Sequence, residues 1–250
     1  MENTEATKYE EAHNVECIIA ESIEDKIGRL EVVTSRYKNE DYLKDIDRLA
    51  LEDIPIDEIL GENGAAIIQA NTTEEQYEKF LNDGLLLLHD GKELFIDKYL
   101  WSSVPFVTKE NGRYTGSARL IFDKGLGLPA LTEKNIEISE RWKEIANNCK
   151  AEFSQFAILR GSNPTTSVKL LKMAYKYSKS LNIEEWVAVT DNSILRLLNS
   201  SFFQFDIPNI GPSTYYMGSN STPIYINMER CLDNAAKYAN SKSIADYIRN

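Results

Sequence analysis

Residues 152–158 read Glu-Phe-Ser-Gln-Phe-Ala-Ile, an apolar run into which one carboxylate and two neutral polar side chains are set. Strand side chains alternate, so Glu152, Ser154 and Phe156 face one way and Phe153, Gln155 and Ala157 the other. A carboxylate on a buried strand is costly unless paired. Desolvation raises its pKa, which is one route to a proton acceptor that works near neutral pH. A second charge, Arg119, falls inside the apolar run at residues 114–122. A buried guanidinium requires an anion, supplied by a carboxylate or by a ligand. His89 is a tempting base, yet His13 is the only other histidine available to pair with it.

These side chains need elements to hold them. Residues 72–83 offer Thr72 as an N-cap with Glu75 three residues on, a capping box that opens a helix, and Gly84 ends it. Residues 85–88 form a buried strand or core turn, followed by a turn at 89–91. Residues 104–108 and 114–122 are expected to pair as a hairpin around Glu110-Asn111-Gly112. Residues 125–129 form a loop and 132–148 an exposed helix carrying Trp142. After the run at 152–158, Ser162 or Asn163 followed by Pro164 announces a helix with Val168, Leu171 and Tyr175 as its apolar stripe. A strand at 186–190, a helix at 192–203, strands at 214–217 and 223–228 and a closing helix complete the chain. Strands alternating with helices predict an α/β fold with parallel neighbours joined through a helix.

A chain of 250 residues can bury one substantial core, or one domain with an appendage. Of the net charge of −11, residues 1–60 contribute −10, from 17 acidic and 7 basic side chains. The expected division is an acidic, largely helical arm at 1–60, a main domain at 61–230 and a C-terminal helix at 231–250. In the arm, Ile23, Ile27 and Leu30, and then Leu43, Ile46 and Leu49, recur at helical spacing. The acidity argues against a broad nucleic-acid surface, which needs clustered cations. Cys17, Cys149 and Cys231 are far apart and form neither a disulfide framework nor a zinc knuckle. The N-terminus lacks a basic region followed by an apolar one, and no apolar run approaches 18 residues, so a soluble cytoplasmic protein without a membrane span is expected.

The pieces at 116–122, 127–129 and 152–158, followed by a distal strand and helix leading to residues 210–227, occur in a telling order. Together they make residues 75–230 resemble the acyl-homoserine-lactone synthases and the related long-chain N-acyl amino acid synthases, a branch of the GNAT acyltransferase superfamily. The resemblance implies a strongly bent mixed sheet, flanked by helices, whose central strands splay apart to admit an acyl thioester. It places the family's strand glutamate at Glu152, its arginine at Arg119 and a preceding acid at Asp97. In that setting Glu152 would take the proton of an attacking amine, directly or through water. Arg119 would hold a carboxylate of the site or of an amino-acid acceptor. Strand N–H groups at Ala157, Ile158 and Leu159 would face the developing oxyanion. The same charges would also serve as a buried structural ion pair. Three departures argue against homoserine-lactone synthesis specifically: Gln155 stands where the families carry a second arginine, Leu100 where the lactone synthases carry a second acid, and their N-terminal arginine and aromatic pattern is not recognisable in residues 65–95.

Residues 160–166 read Arg-Gly-Ser-Asn-Pro-Thr-Thr, and one glycine makes a poor pyrophosphate cradle. Acyl carrier protein is therefore favoured over acyl-CoA as the thioester donor, although Arg160, Ser162, Thr165 and Thr166 at a helix start could hold one phosphate. Lys169, Lys172, Lys176 and Lys179 form a stripe on the following helix, either a solvated face or a dock for an acidic carrier protein. Trp101, Phe106, Phe153, Trp186 and Tyr215 are candidates for an acyl pocket or for ordinary core. The expected activity is transfer of an acyl group to a small amine such as an amino acid, with no bound cofactor and no metal. The alternative is a non-catalytic relative that binds an acyl thioester or partner as a sensor.

Overall fold

The computed structural model of the protein describes residues 15–250. His13 and the rest of 1–14 lie outside the described residues. Strand β1 (Val15–Ile19) leads into helix α1 (Ile23–Asn39), whose N-cap Ser22 accepts from the Asp25 N–H at 3.1 Å. Next come β2 (Arg48–Ala50) and helices α2 (Ile56–Ile59), α3 (Gly64–Ala70) and α4 (Glu74–Asp83). The capping box of α4 is real but lies one residue later than predicted. Thr73 caps the Gln76 N–H and the Gln76 side chain accepts from the Thr73 N–H. Such a cap contributes roughly 1 kcal/mol.

Strands β3 (Leu85–His89) and β4 (Lys92–Ile96) form a hairpin around Asp90-Gly91, both at positive φ, and with β2 they make a three-stranded sheet. Strands β5 (Ser103–Glu110) and β6 (Arg113–Phe122) form the predicted hairpin around Asn111-Gly112, again at positive φ as a tight two-residue turn requires. Then follow α5 (Pro129–Thr132), α6 (Glu140–Asn148), β7 (Ala151–Ile158), α7 (Thr165–Ser180), β8 (Glu185–Asp191), α8 (Asn192–Leu198), β9 (Thr214–Tyr216) and β10 (Ser219–Asn227). The end of the chain is two helices rather than one, α9 (Met228–Ala236) and α10 (Ala239–Arg249). The break falls at Tyr238, whose backbone is extended, and the Ser241 hydroxyl donates back to the Ala235 carbonyl at 2.8 Å.

The main sheet runs β1-β5-β6-β7-β8-β10-β9, antiparallel except at β7–β8. It is thus a mixed sheet flanked by helices, as predicted. Helix α7 packs on one face and buries Val168, Leu170, Leu171, Ala174 and Tyr175 in the core with Phe106, Phe153, Trp186 and Ile224. Helix α1 packs against β4 and β6, with Val32 and Val33 buried beside Leu86 and Phe95.

From Val15 onward the acidic N-terminal segment is built into this body. β1 pairs with β5 from Val15↔Glu110 to Ile19↔Phe106, and Arg29 reaches the centre of the molecule. Residues 43–49, predicted as helix, instead form turns and β2. Leu43 is buried beside Val32 and Val33, and Leu49 pairs with Leu87 in the small sheet. Tertiary pairing overrides the helical spacing there.

Candidate active site

Among the described residues, the only parallel pairing in the main sheet is also the shortest join within it. β7 and β8 share two register pairs, Ala151↔Trp186 and Glu152↔Val187. Past Glu152 the strands part, because β7 continues along β6 while β8 follows β10. A cavity of about 340 Å³ fills the gap. Phe153, Ser154, Gln155 and Phe156 line one wall and Ala188, Val189, Thr190 and Asp191 the other. Ile194 and Leu198 of α8 and Ile224 and Ile226 of β10 add apolar lining, while Tyr37, Tyr42, Asp97, Arg119, Glu133 and Tyr216 add polar lining.

Glu152 stands where the strands diverge, 2% exposed. One of its oxygens accepts the Ala130 N–H at 2.7 Å, at the start of α5. Burial pushes its carboxyl up to about 8, against the opposing pull of the Ala130 N–H and Arg119, with Glu133 and Asp97 adding to the rise. Burial thus favours the protonated form, and the group becomes available as a base as pH approaches about 8.

Arg119 pairs with Asp97 by both prongs, Nη1 to Oδ1 at 2.8 Å and Nη2 to Oδ2 at 2.6 Å. Burial alone would raise the Asp97 carboxyl, but Arg119, Arg29 and the Tyr99 N–H outweigh it and hold it below the usual range. Asp97 is therefore ionised beside a carboxyl that is not, a separation of two carboxylates by environment. Of the two partners expected for Arg119, it is Asp97 that pairs with it, and Glu152 is free of a direct ion pair.

Sequence reasoning missed several residues of this site. Arg29 of α1, 1% exposed, donates to Gln155, and Gln155 donates to Asp97 Oδ2 at 3.3 Å. Burial, reinforced by Arg119, lowers the Arg29 guanidinium to about 9. The signal was present in the sequence, since Arg29 precedes Val32 and Val33 by three and four residues and so lies on the apolar face of its helix. Tyr216 was missed by one residue. It lines the cavity, whereas its strand neighbour Tyr215 is 69% exposed.

Other predicted residues lie elsewhere. Among the five aromatic candidates for an acyl pocket, Phe153 alone lines the cavity. Trp101 sits edge-on to Phe80 and donates to the Ile59 carbonyl, and Phe106 packs on Tyr177. Trp186 is wholly buried and stacked on Phe153 at 5.4 Å. Of the predicted donor contacts, the Leu159 N–H already donates to Thr115 O at 2.9 Å, while Ala157 and Ile158 stand opposite Ser117 and Gly116. Arg160 is exposed and reaches Glu40 at 3.4 Å, the Ser162 hydroxyl approaches Thr115 O at 3.5 Å, and the Thr165 N–H and hydroxyl both donate to Asn163. The Thr166 hydroxyl is buried without a partner at the start of α7.

The lysine stripe is not a free cationic face. Lys169 donates to Val15 O, Lys176 to Asn250 O and Lys179 to Glu229, while Lys172 lies 3.7 Å from the centre of the Tyr247 ring. These partners come from β1, α9, α10 and the chain terminus, so the stripe joins α7 to its neighbours. His89 lies outside the cavity lining, with Nε2 2.9 Å from the Ile54 carbonyl. No described helix is long and apolar enough to cross a membrane.

Solved structures of other proteins resemble this chain to differing degrees. The acyl-homoserine-lactone synthase LasI superposes with a TM-score of 0.51 at 14% identity, covering 85% of this chain and 89% of LasI. The chain has the fold of that synthase. The fold expected from short motifs in order is thus matched by the fold of this one synthase. The N-acyl amino acid synthase FeeM from uncultured soil microbes gives a TM-score of 0.49 at 15% identity over 88% of this chain and 94% of FeeM. FdhC, a nucleotide-linked sugar GNAT, gives 0.42 at 11% identity over 91% and 94%. No family model and no curated protein matches the sequence.

Proposed function

We propose that this protein is an N-acyltransferase that moves a long-chain acyl group from a thioester to the amine of a small acceptor such as an amino acid. The observation that carries this reading is the place of Glu152, a buried carboxyl with a raised pKa at the point where β7 leaves β8 and the cavity begins. The amine attacks the thioester carbonyl, the C–N bond forms, and collapse of the tetrahedral intermediate breaks the C–S bond. Glu152 accepts the amine proton, and that proton passes to the departing thiolate, which leaves as the free thiol. The Arg119–Asp97 pair lines the acceptor side, and the apolar side chains of α8 and β10 receive the acyl chain. The oxyanion would be stabilised by backbone N–H groups of β7 beyond Glu152, where pairing with β8 has ended.

The donor is an acyl thioester of coenzyme A or of acyl carrier protein, and the lysines of α7, of which Lys176 and Lys179 remain exposed, are the candidate dock for an acidic carrier. The test is incubation with each donor class and pooled amino acids, followed by mass spectrometry for N-acyl products. A new N-acyl product that disappears with Glu152→Gln supports the proposal. Thioester binding without any product identifies a sensor instead.

A further inference from the structure

Among the described residues, Gln155 is the only non-glycine residue within a strand that adopts positive φ, at 49°. It sits where β7 slips against β6: Ser117 faces Ala157 but Arg119 faces Ser154, so two β7 residues stand against Ala118. The bulge takes its side chain out of the strand's alternation and into the interior, where Gln155 is 8% exposed. There Nε2 donates to Asp97 Oδ2 at 3.3 Å, and Oε1 accepts from Arg29 Nη2. One partner is a pure acceptor and the other a pure donor, which fixes the orientation of the amide.

The surroundings explain why an amide stands here. Arg29 and Arg119 are both buried, and each keeps its Nε without a partner. Asp97 is the carboxylate these two cations share, Arg119 directly and Arg29 through the amide. A glutamate at 155 would repel Asp97, and an arginine would set a third guanidinium against the other two. Glycine would suit the backbone better but would bridge nothing.

We propose that Gln155 is a positioning residue, whose amide, presented by the bulge, holds Arg29 and the Asp97–Arg119 pair in one array and thereby fixes the Arg119 guanidinium in the cavity wall. Its effect on turnover rests on the acyl-transfer reading; the array itself does not.

The test combines Gln155→Gly, Arg29→Met and the double variant with two readouts. The first is the NMR signal of the Arg119 Nε–H, assigned by its loss in Arg119→Lys. Either single variant shifts or broadens that signal. The second is turnover with saturating thioester. Each single variant raises the acceptor KM about tenfold or more, leaves donor binding unchanged, and the double variant is no worse than the more impaired single one. Gln155→Gly with an unmoved Arg119 signal and wild-type acceptor kinetics overturns the proposal, as does a double variant whose losses multiply. If Gln155→Gly fails to fold, Arg29→Met leaves the bulge intact and must still move the Arg119 signal. A wild-type protein that acylates no amine, but whose Arg119 signal responds as described, removes the acyl-transfer reading and leaves the array standing.

Discussion

Glu152 faces Val187 across the last rung that joins β7 to β8, so the ionisable group and the opening of the sheet occupy the same position. This coincidence makes Glu152→Gln the most direct probe of the chemistry. The amide keeps an oxygen that can accept the Ala130 N–H. Turnover is expected to fall roughly 10²- to 10⁴-fold, the usual contribution of a positioned general base, with donor binding nearly unchanged. Steady-state kinetics alongside equilibrium binding of a non-transferable thioester analogue will check this. A variant that retains turnover removes Glu152 as the base.

The raised pKa also gives a pH signature. With Glu152 held near 8, activity should rise through that pH as the base ionises. For stability the sign is opposite. The folded state holds the proton between the unfolded carboxyl value and about 8, so the stabilisation is full below that range and is lost as pH rises through it. Glu152→Gln, which cannot ionise, should gain on the wild type as pH rises from 5 to 8, by a few kcal/mol on the order of 1.4 per pKa unit. Urea unfolding at several pH values measures this, and parallel curves for the two proteins would contradict it.

The Arg119–Asp97 pair is buried and two-pronged. Asp97→Asn leaves two buried guanidinium groups facing no full charge. A loss of about 3–5 kcal/mol is expected from breaking such a pair, and Arg119→Met should cost less in the double variant than alone. Chemical denaturation of the four-member cycle gives the coupling. Additive losses would show that the pair does not act as a unit.

The apolar lining from α8 and β10 sets the space for an acyl chain. Replacing Ile194 or Ile224 with Phe fills part of the cavity, and the preferred donor is expected to shorten by several carbons, each buried methylene being worth about 0.8 kcal/mol. Competition among thioesters of graded length reads this out. An unchanged length preference places the chain elsewhere.

Gly28 lies against the ring of Tyr114, and a Cβ there would come within 2.2 Å of it. Gly28→Ala should therefore push α1 off β6, cost roughly 1–3 kcal/mol as overpacking does, and impair turnover through the adjacent Arg29. Thermal melts and kinetics on the same preparation test both effects.

Charged residues on apolar strands were the part of the site that could be read from sequence. Glu152 and Arg119 declare themselves because burial makes such residues costly, and Asp97 followed from motif order. What the sequence left open depends on contacts between distant segments. Trp186 and Phe106 are aromatic core, but which face of a bent sheet each occupies is set by packing against α7. Tyr215 and Tyr216 differ by a single step of strand alternation. The lysines of α7 read as a stripe from spacing alone, whereas their partners on β1, α9 and α10 are set by packing between distant segments. Gln155 read as a lost arginine, and only a backbone bulge with a long-range partner on α1 gives it a place.

The pairing of β1 with β5 has a consequence for assembly. Everything between these two strands, α1 and the whole three-stranded sheet, is enclosed in the loop they close. Closing so long a loop is entropically slow, and it rewards the chain only after the enclosed part has taken shape. Arg29 and Asp97 arrive with that enclosed part, whereas Arg119 and Gln155 belong to strands outside it. The charged array is thus expected to be completed late in folding, when the enclosed part, carrying Arg29 and Asp97, seats against a sheet that already contains Arg119 and Gln155.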